Sequence, residues 1–378
     1  MSFTTPSGGP ILGLFPWFGL EVVGGAEASG RLAWQTVRAA AQAQGQAAHL
    51  FTYGAPAGAI ERTAERTATG RSRLAAILAA LRCPAHPSIA LVWHVGMLKL
   101  LPFLRRRPVR SVLMLHGIEV WHRHDPLTRS LLRKVDLLIS NSEQTWLRFI
   151  TFYPELAGRP WRTVQLGLGE PAMPAPAPAG PPRALIIGRM VRSEGYKGHH
   201  ELIAAWPALV RTIPDAELWV VGEGDLRPAL EAQAAALGLA QAVRFFGHVA
   251  DHEKERLIAR CHCLAMPSRG EGFGLVYLEA MRLARPCLVG TQDAGREVIN
   301  PPEAGLAVDP TNQQALVAAL SRLLSPGPEW EQWSAQARRR YEGQFTARHY
   351  QQRLLTALSL EAHLAGATNL AGVPQDAQ

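Results

Sequence analysis

The chain has 378 residues, 47% hydrophobic and 19% charged, a length that exceeds one ordinary core and a balance that excludes a wholly disordered or collagen-like protein. Its formal charge of +8 is unevenly spread: residues 1–170 carry 19 Lys+Arg against 10 Asp+Glu, and the remainder 20 against 21. Cys83, Cys261, Cys263 and Cys287 have neither disulfide-framework nor metal-ligand spacing, so Cys261-His262-Cys263 reads as packing and a reducing compartment is implied.

The N-terminus shows no basic segment followed by an apolar one, and no run of about 18 apolar residues occurs. The chain is therefore expected to be cytoplasmic, at most peripheral on the inner face of the membrane. Short β-rich apolar runs at 11–15, 48–53, 89–93, 112–115 and 137–140 alternate with Ala- and Leu-rich helical stretches, and the pattern repeats with runs at 184–187, 218–221, 243–246, 263–266 and 287–289. Two doubly wound α/β domains with parallel sheets are predicted, each binding ligand at the carboxyl ends of its strands. Residues 171–182 are half proline, cannot enter a helix or sheet interior, and read as the interdomain linker. The expected boundaries are 1–178 for an N-terminal domain and 183–344 for a C-terminal domain. A helix over 345–363 is expected to return to the N-terminal domain, and 364–378 to form a flexible tail.

In chain order, the first candidate is Gly24-Gly25-Ala26-Glu27, a weak signal between a strand and a helix where a phosphate could approach. Residues 99–110 set Leu100, Leu101, Phe103 and Leu104 beside Arg105, Arg106, Arg107 and Arg110. This composition suits an anionic membrane surface, while core packing with solvated arginines is the competing reading. Nucleic acid is not expected, because stacking aromatics are not interleaved there. His116-Gly117-Ile118-Glu119-Val120-Trp121 follows a strand; Trp121, His122 and His124 are candidates for the acceptor side or equally a surface loop, and His94, after another strand, ranks lower. Gly188-Arg189-Met190-Val191-Arg192-Ser193-Glu194-Gly195-Tyr196-Lys197-Gly198 leaves the first strand of the second half. An arginine fork and a lysine point charge are what a departing diphosphate requires where no metal is present. No credible Asp-x-Asp stands at a strand end, so neither metal nor cofactor is expected.

The most specific segment is Ser268-Arg269-Gly270-Glu271-Gly272-Phe273-Gly274-Leu275-Val276-Tyr277-Leu278-Glu279-Ala280-Met281. Its glycines permit a tight turn and close ligand approach, and Leu275 opens a helix whose first N–H groups suit phosphate. Glu271 can accept from sugar hydroxyls and Glu279 from a ribose. Over most of the C-terminal half, the sequence resembles the retaining nucleotide-sugar transferases of glycosyltransferase family 4, whose donor motif is E-G-F-G-x-x-x-x-E. The resemblance implies the GT-B architecture, two Rossmann-like domains facing a central cleft, and retaining, metal-independent transfer from a nucleotide-sugar donor. It assigns Glu271 and His116 to the transferred sugar, and Arg189 and Lys197 to the diphosphate. Glu279 is assigned to the ribose, and Gly24, Gly25, Gly272, Phe273, Gly274 and Leu275 to the donor through backbone. The expected donors are UDP- or GDP-hexoses, and the expected acceptor is a saccharide or lipid-linked saccharide in envelope or exopolysaccharide synthesis. Departures from the family pattern are Ala284, where glycine is usual, and Asp293-Ala294-Gly295-Arg296-Glu297, which keeps one of two adjacent glycines. A sugar-nucleotide epimerase of similar build and a noncatalytic nucleotide-sugar-binding partner remain the alternatives.

Overall fold

The computed structural model describes residues 9–17, 25–83, 86–104, 108 and 110–360. Gly24, Arg105, Arg106, Arg107 and the expected tail 364–378 lie outside the described residues. Contacts divide the chain into two units: Met1–Asn141 with Arg148–Val164 and His349–Gln378, and Ser142–Leu147 with Gln165–Arg348.

In the first unit, the strands are β1 (Ile11–Pro16), β2 (Ala48–Tyr53), β3 (Glu61–Arg62), β4 (Arg66–Thr69), β5 (Ile89–Val92), β6 (Arg110–Leu115), β7 (Leu137–Ser140) and β8 (Trp161–Thr163). They form one sheet in the order β3-β4-β2-β1-β5-β6-β7-β8, parallel except at the β3–β4 pair. Helices α1 (Gly25–Ala43), α2 (Arg73–Ala80) and α3 (Pro126–Leu132) belong to this unit, and α4 (Glu143–Phe152) contributes to it from Arg148 onward. Central strands such as β5 and β7 are buried along their whole length, as continuous apolar runs covered on both faces must be. The strands that composition did not announce, β3, β4 and β8, are short, polar and toward the sheet edges, where a hydrophobic run is not required.

The basic segment after β5 enters 3-10 turns over Val95–Phe103. Leu100 and Leu104 are buried, and Lys99 pairs with Asp125 at 2.9 Å. Arg110 donates to the Ala357 and Leu358 carbonyls, each at 3.4 Å, at the end of the last helix. Of the segment's described apolar groups, Leu100 and Leu104 are buried, Leu101 is half-buried and Phe103 is exposed.

The second unit carries β9 (Arg183–Ile187), β10 (Glu217–Val221), β11 (Val243–Gly247), β12 (Cys263–Met266), β13 (Cys287–Gly290) and β14 (Gly305–Val308) in a parallel sheet of order β11-β10-β9-β12-β13-β14. Its helices are α5 (His199–Thr212), α6 (Arg227–Ala236), α7 (Asp251–Arg260), α8 (Leu275–Arg282), α9 (Gly295–Ile299), α10 (Gln313–Leu324) and α11 (Pro328–Gln344). The last helix, α12 (Ala347–Leu358), is counted with the first unit from His349 onward. Strand order reverses between β9 and β12, which places the topological switch point, and hence the expected ligand crevice, at the carboxyl ends of these two strands.

Arg285 fastens this unit internally. Fully buried, it donates to Pro176 O at 2.6 Å, Ala259 O at 2.5 Å, Ala284 O at 3.3 Å and Ala175 O at 3.4 Å, and lies over the Trp330 ring. The proline-rich stretch is therefore tied to the second unit. Ala284, the residue before it, takes a left-handed φ of 59°, a conformation that costs a non-glycine residue about 1–2 kcal/mol. Arg285→Met keeps an unbranched apolar stem but strips these buried carbonyls of their charged donor. It should cost about 3 kcal/mol of stability, read as a lower urea midpoint at unchanged m-value.

Candidate active site

The two loops at the switch point are joined by backbone before any side chain is considered. After β9 the chain runs through Gly188–Val191 into a short 3-10 segment, Arg192–Lys197, and reaches α5 through Gly198 at φ 95°. After β12 it runs through Pro267–Gly274 into α8. Arg269 N donates to Tyr196 O at 3.0 Å. A Cβ on Gly198 would lie 2.9 Å from the Pro267 ring, so glycine is required both by the left-handed turn and by the approach of the second loop.

Side chains then complete the link. Lys197 Nζ lies 3.0 Å from Glu271 Oε2 and 3.5 Å from Glu194 Oε2, and Arg189 closes the chain of charges through a bond to Glu194 Oε1. The Lys197 side chain is 12% exposed. Burial by itself lowers its pKa, yet Glu271, Tyr196 and Glu194 outweigh it and raise the pKa overall, so the ammonium stays charged. Arg189 is different: its side chain is 62% exposed and can turn toward a ligand at small cost.

Glu271 sits beside the start of α8, since a Cβ on Gly274 would meet Glu271 Cγ at 3.3 Å. Gly274 itself is left-handed, and the same Cβ would fall 2.3 Å from the Tyr277 ring. Phe273 is buried in edge contact with Phe345, and its N–H, with those of Gly274 and Leu275, has no acceptor among the described residues. About one turn into α8, Glu279 is paired with Lys254 of α7 at 3.0 Å. Burial raises the Glu279 carboxyl above its ordinary range, and Lys254 opposes the shift. Asp293, beneath the loop, accepts from Gly295 N at 2.6 Å and is held well above the carboxylate range by burial and then by the Glu271 charge.

Arg189, Lys197 and Glu271 therefore form one network with Glu194, while Glu279 forms a separate pair with Lys254. Glu194 and Lys254 were not singled out from the sequence. A glutamate three residues before a lysine is too common to stand out, and Lys254 lies 25 residues from its partner. Glu297, readable as a charge at its own helix start, instead caps another helix, accepting from Glu143 N at 2.9 Å and Gln144 N at 2.6 Å.

In the first unit, His116 ends β6. Its Nε2 lies 2.6 Å from Trp93 O, its N–H donates to Glu119 Oε1 at 2.6 Å, and its carbonyl accepts from Asn141 Nδ2 at 2.7 Å. Since a carbonyl only accepts, Nε2 carries a proton. Gly25 is the first residue of α1, its carbonyl accepting from Ser29 Oγ at 2.7 Å. Trp121 is buried beneath the Arg148 guanidinium, 4.3 Å from its ring, and so packs in the fold instead of offering an open face to an acceptor.

Residues 174–340 match the sequence profile of the family described as Glycosyl transferases group 1. This segment is a group 1 glycosyl transferase domain. The group 1 domain contains Arg189, Lys197, Glu271, Glu279 and the Gly272–Leu275 turn, whereas Gly25 and His116 precede it. The chain is similar to glycogen synthase of Mycobacterium tuberculosis, 31% identical over 238 residues that make up 61% of this chain and 53% of that protein. It is also similar to the GDP-mannose-dependent alpha-(1-6)-phosphatidylinositol monomannoside mannosyltransferase of Mycolicibacterium smegmatis, 28% identical over 255 residues, 59% of this chain and 63% of that protein. The chain thus spans between about half and under two thirds of these curated relatives. Among solved structures it resembles Anabaena HepE in complex with UDP and glucose, with a TM-score of 0.71 at 20% identity over 93% of this chain and 100% of that one. The fold is GT-B, with a Rossmann-like sheet in each unit.

The geometry of the turn sets a stringent test. Gly274→Ala places a methyl against the Tyr277 ring in a left-handed conformation. It should cost at least about 2 kcal/mol in urea unfolding and weaken binding of UDP or GDP, measured by calorimetry.

Proposed function

We propose that the chain transfers a hexosyl group, with retention of anomeric configuration, from a UDP- or GDP-hexose to an acceptor hydroxyl on a saccharide or lipid-linked saccharide of envelope or exopolysaccharide synthesis. The observation that carries this reading is the Lys197 ammonium, kept charged by Glu271 and Glu194 at the β9/β12 switch point, beside the N-terminus of α8. Before a donor binds, the two cations Arg189 and Lys197 are balanced by Glu194 and Glu271. A diphosphate is a stronger, multidentate acceptor. It would draw Arg189 and Lys197 and take the free N–H groups of the turn, releasing Glu271 to accept from sugar hydroxyls. Glu279 would bind the ribose in place of its bond from Lys254.

In the proposed reaction, the acceptor oxygen attacks the anomeric carbon from the face that the diphosphate leaves. The C1–O bond to the β-phosphate breaks, and the acceptor proton passes to the departing phosphate oxygen, so that the products are the glycoside and the nucleoside diphosphate. Negative charge grows on the leaving group, where fixed cations and N–H dipoles stabilise it more than they stabilise the intact donor. His116, through Nδ1, would contact the transferred sugar, and no metal or cofactor enters the scheme. The relatives support the donor class: one is named as GDP-mannose-dependent, and HepE was solved with UDP and glucose. The enzyme is read as cytoplasmic, meeting a lipid-linked acceptor at the inner membrane surface. No helix among the described residues is long and apolar enough to cross a membrane.

A thermal-shift screen of nucleotide sugars should show stabilisation by UDP- or GDP-hexoses and by the matching nucleoside diphosphate. Lys197→Ala should bind that diphosphate about 10- to 100-fold more weakly, the worth of a charge-assisted bond, and Glu271→Ala should lose most transfer while staying folded. Undiminished affinity in the first variant, or near wild-type transfer in the second, overturns the assignment. Transfer should also persist in EDTA; activity lost there and restored by manganese or magnesium would contradict fixed-cation catalysis.

A further inference from the structure

Two residues distant in sequence from the glycine turn converge on it. Ser142 Oγ and Thr145 Oγ1 donate to one acceptor, the Gly272 carbonyl, at 2.8 and 3.0 Å, and all three groups are buried. A carbonyl has two lone pairs, and two hydroxyl protons fill them. Ser142 Oγ also accepts from Thr145 N at 3.0 Å, which is the N-cap bond of α4, while Glu297 takes the N–H groups of Glu143 and Gln144. The first three donors of α4 are thereby consumed inside the protein. That turn is a rigid fixture of the second unit, not an anion site.

The consequence follows from peptide planarity. Across a trans peptide the carbonyl and the next N–H point in opposite directions, so fixing the direction of Gly272 C=O also fixes that of Phe273 N–H. The carbonyl is aimed at the first turn of α4. The Phe273 N–H is therefore aimed away from it, and it has no acceptor among the described residues. Glycine at 272 offers no Cβ to hold this peptide plane by packing, and Gly274 leaves the next link equally free, so beside the buried Phe273 ring the two hydroxyls are what fix the direction of the carbonyl.

We infer that Ser142 and Thr145 are positioning residues that orient the Phe273 N–H toward the diphosphate of the donor, with Glu297 holding the turn that carries them. This rests on the donor-site reading above, and the experiment separates the two. UDP and GDP are titrated by calorimetry into the full-length wild-type chain and into Ser142→Ala/Thr145→Val, at a temperature where circular dichroism shows each folded. Thr145→Ser, which keeps the hydroxyl, serves as the conservative rescue, and Arg285→Met as a destabilised control remote from the turn. The double variant should bind about ten-fold or more weakly, the worth of one aimed N–H to a charged oxygen, while Thr145→Ser and Arg285→Met bind like the wild type. A double variant that binds like the wild type overturns the inference, as does an equal loss in Arg285→Met, which would mark the effect as general loosening. If the wild type itself binds neither diphosphate, the donor-site reading falls and this inference with it.

Discussion

The structure of the second unit turns on one buried ammonium. Lys197 leaves the loop after β9, and its side chain is almost wholly removed from water, which is tolerable only with anionic partners. It finds them in Glu194 of its own loop and in Glu271 of the loop after β12. The ion pair thereby joins the two segments that flank the switch point, reinforcing the backbone bond from Arg269 to Tyr196 and the close seat of Gly198 on Pro267. Because the pair is internally neutral, the site is electrostatically satisfied when empty, and the same cation becomes available when a stronger anion competes for it.

A second constraint operates on backbone instead of charge. A turn of Gly272, Phe273 and Gly274 is permissive enough to bring N–H groups against a ligand, but that freedom would leave their direction undefined. The protein restores the definition from outside the turn. Hydroxyls of the first turn of α4 grip the Gly272 carbonyl, Glu297 grips α4, and the Phe273 ring is buried against Phe345. Here three segments of the chain, at 142–145, 297 and 345, act on a single turn. Arg285 shows the same logic on the far side of α8, where one buried guanidinium holds carbonyls from the proline-rich stretch, the end of α7 and the end of the α8 turn.

The sequence alone determined the α/β class, the two largely parallel sheets and the residues proposed for the donor site. Fully buried strands must be continuous apolar runs, and a phosphate-approaching turn must be glycine-rich and precede a helix, so both are written locally. Arg189, Lys197, Glu271 and Glu279 were legible because their chemistry and spacing sit within short motifs. The tertiary structure decided what those motifs do to one another. That Glu194 bridges Arg189 to Lys197, that Lys254 neutralises Glu279, and that Ser142, Thr145 and Glu297 hold the glycine turn depend on contacts between residues as much as 154 positions apart. A hydrogen bond has no signature along the chain when its donor and acceptor are brought together only by the packing of separate elements. Serine, threonine and glutamate at helix starts are also common enough that their partners, not their identities, carry the information.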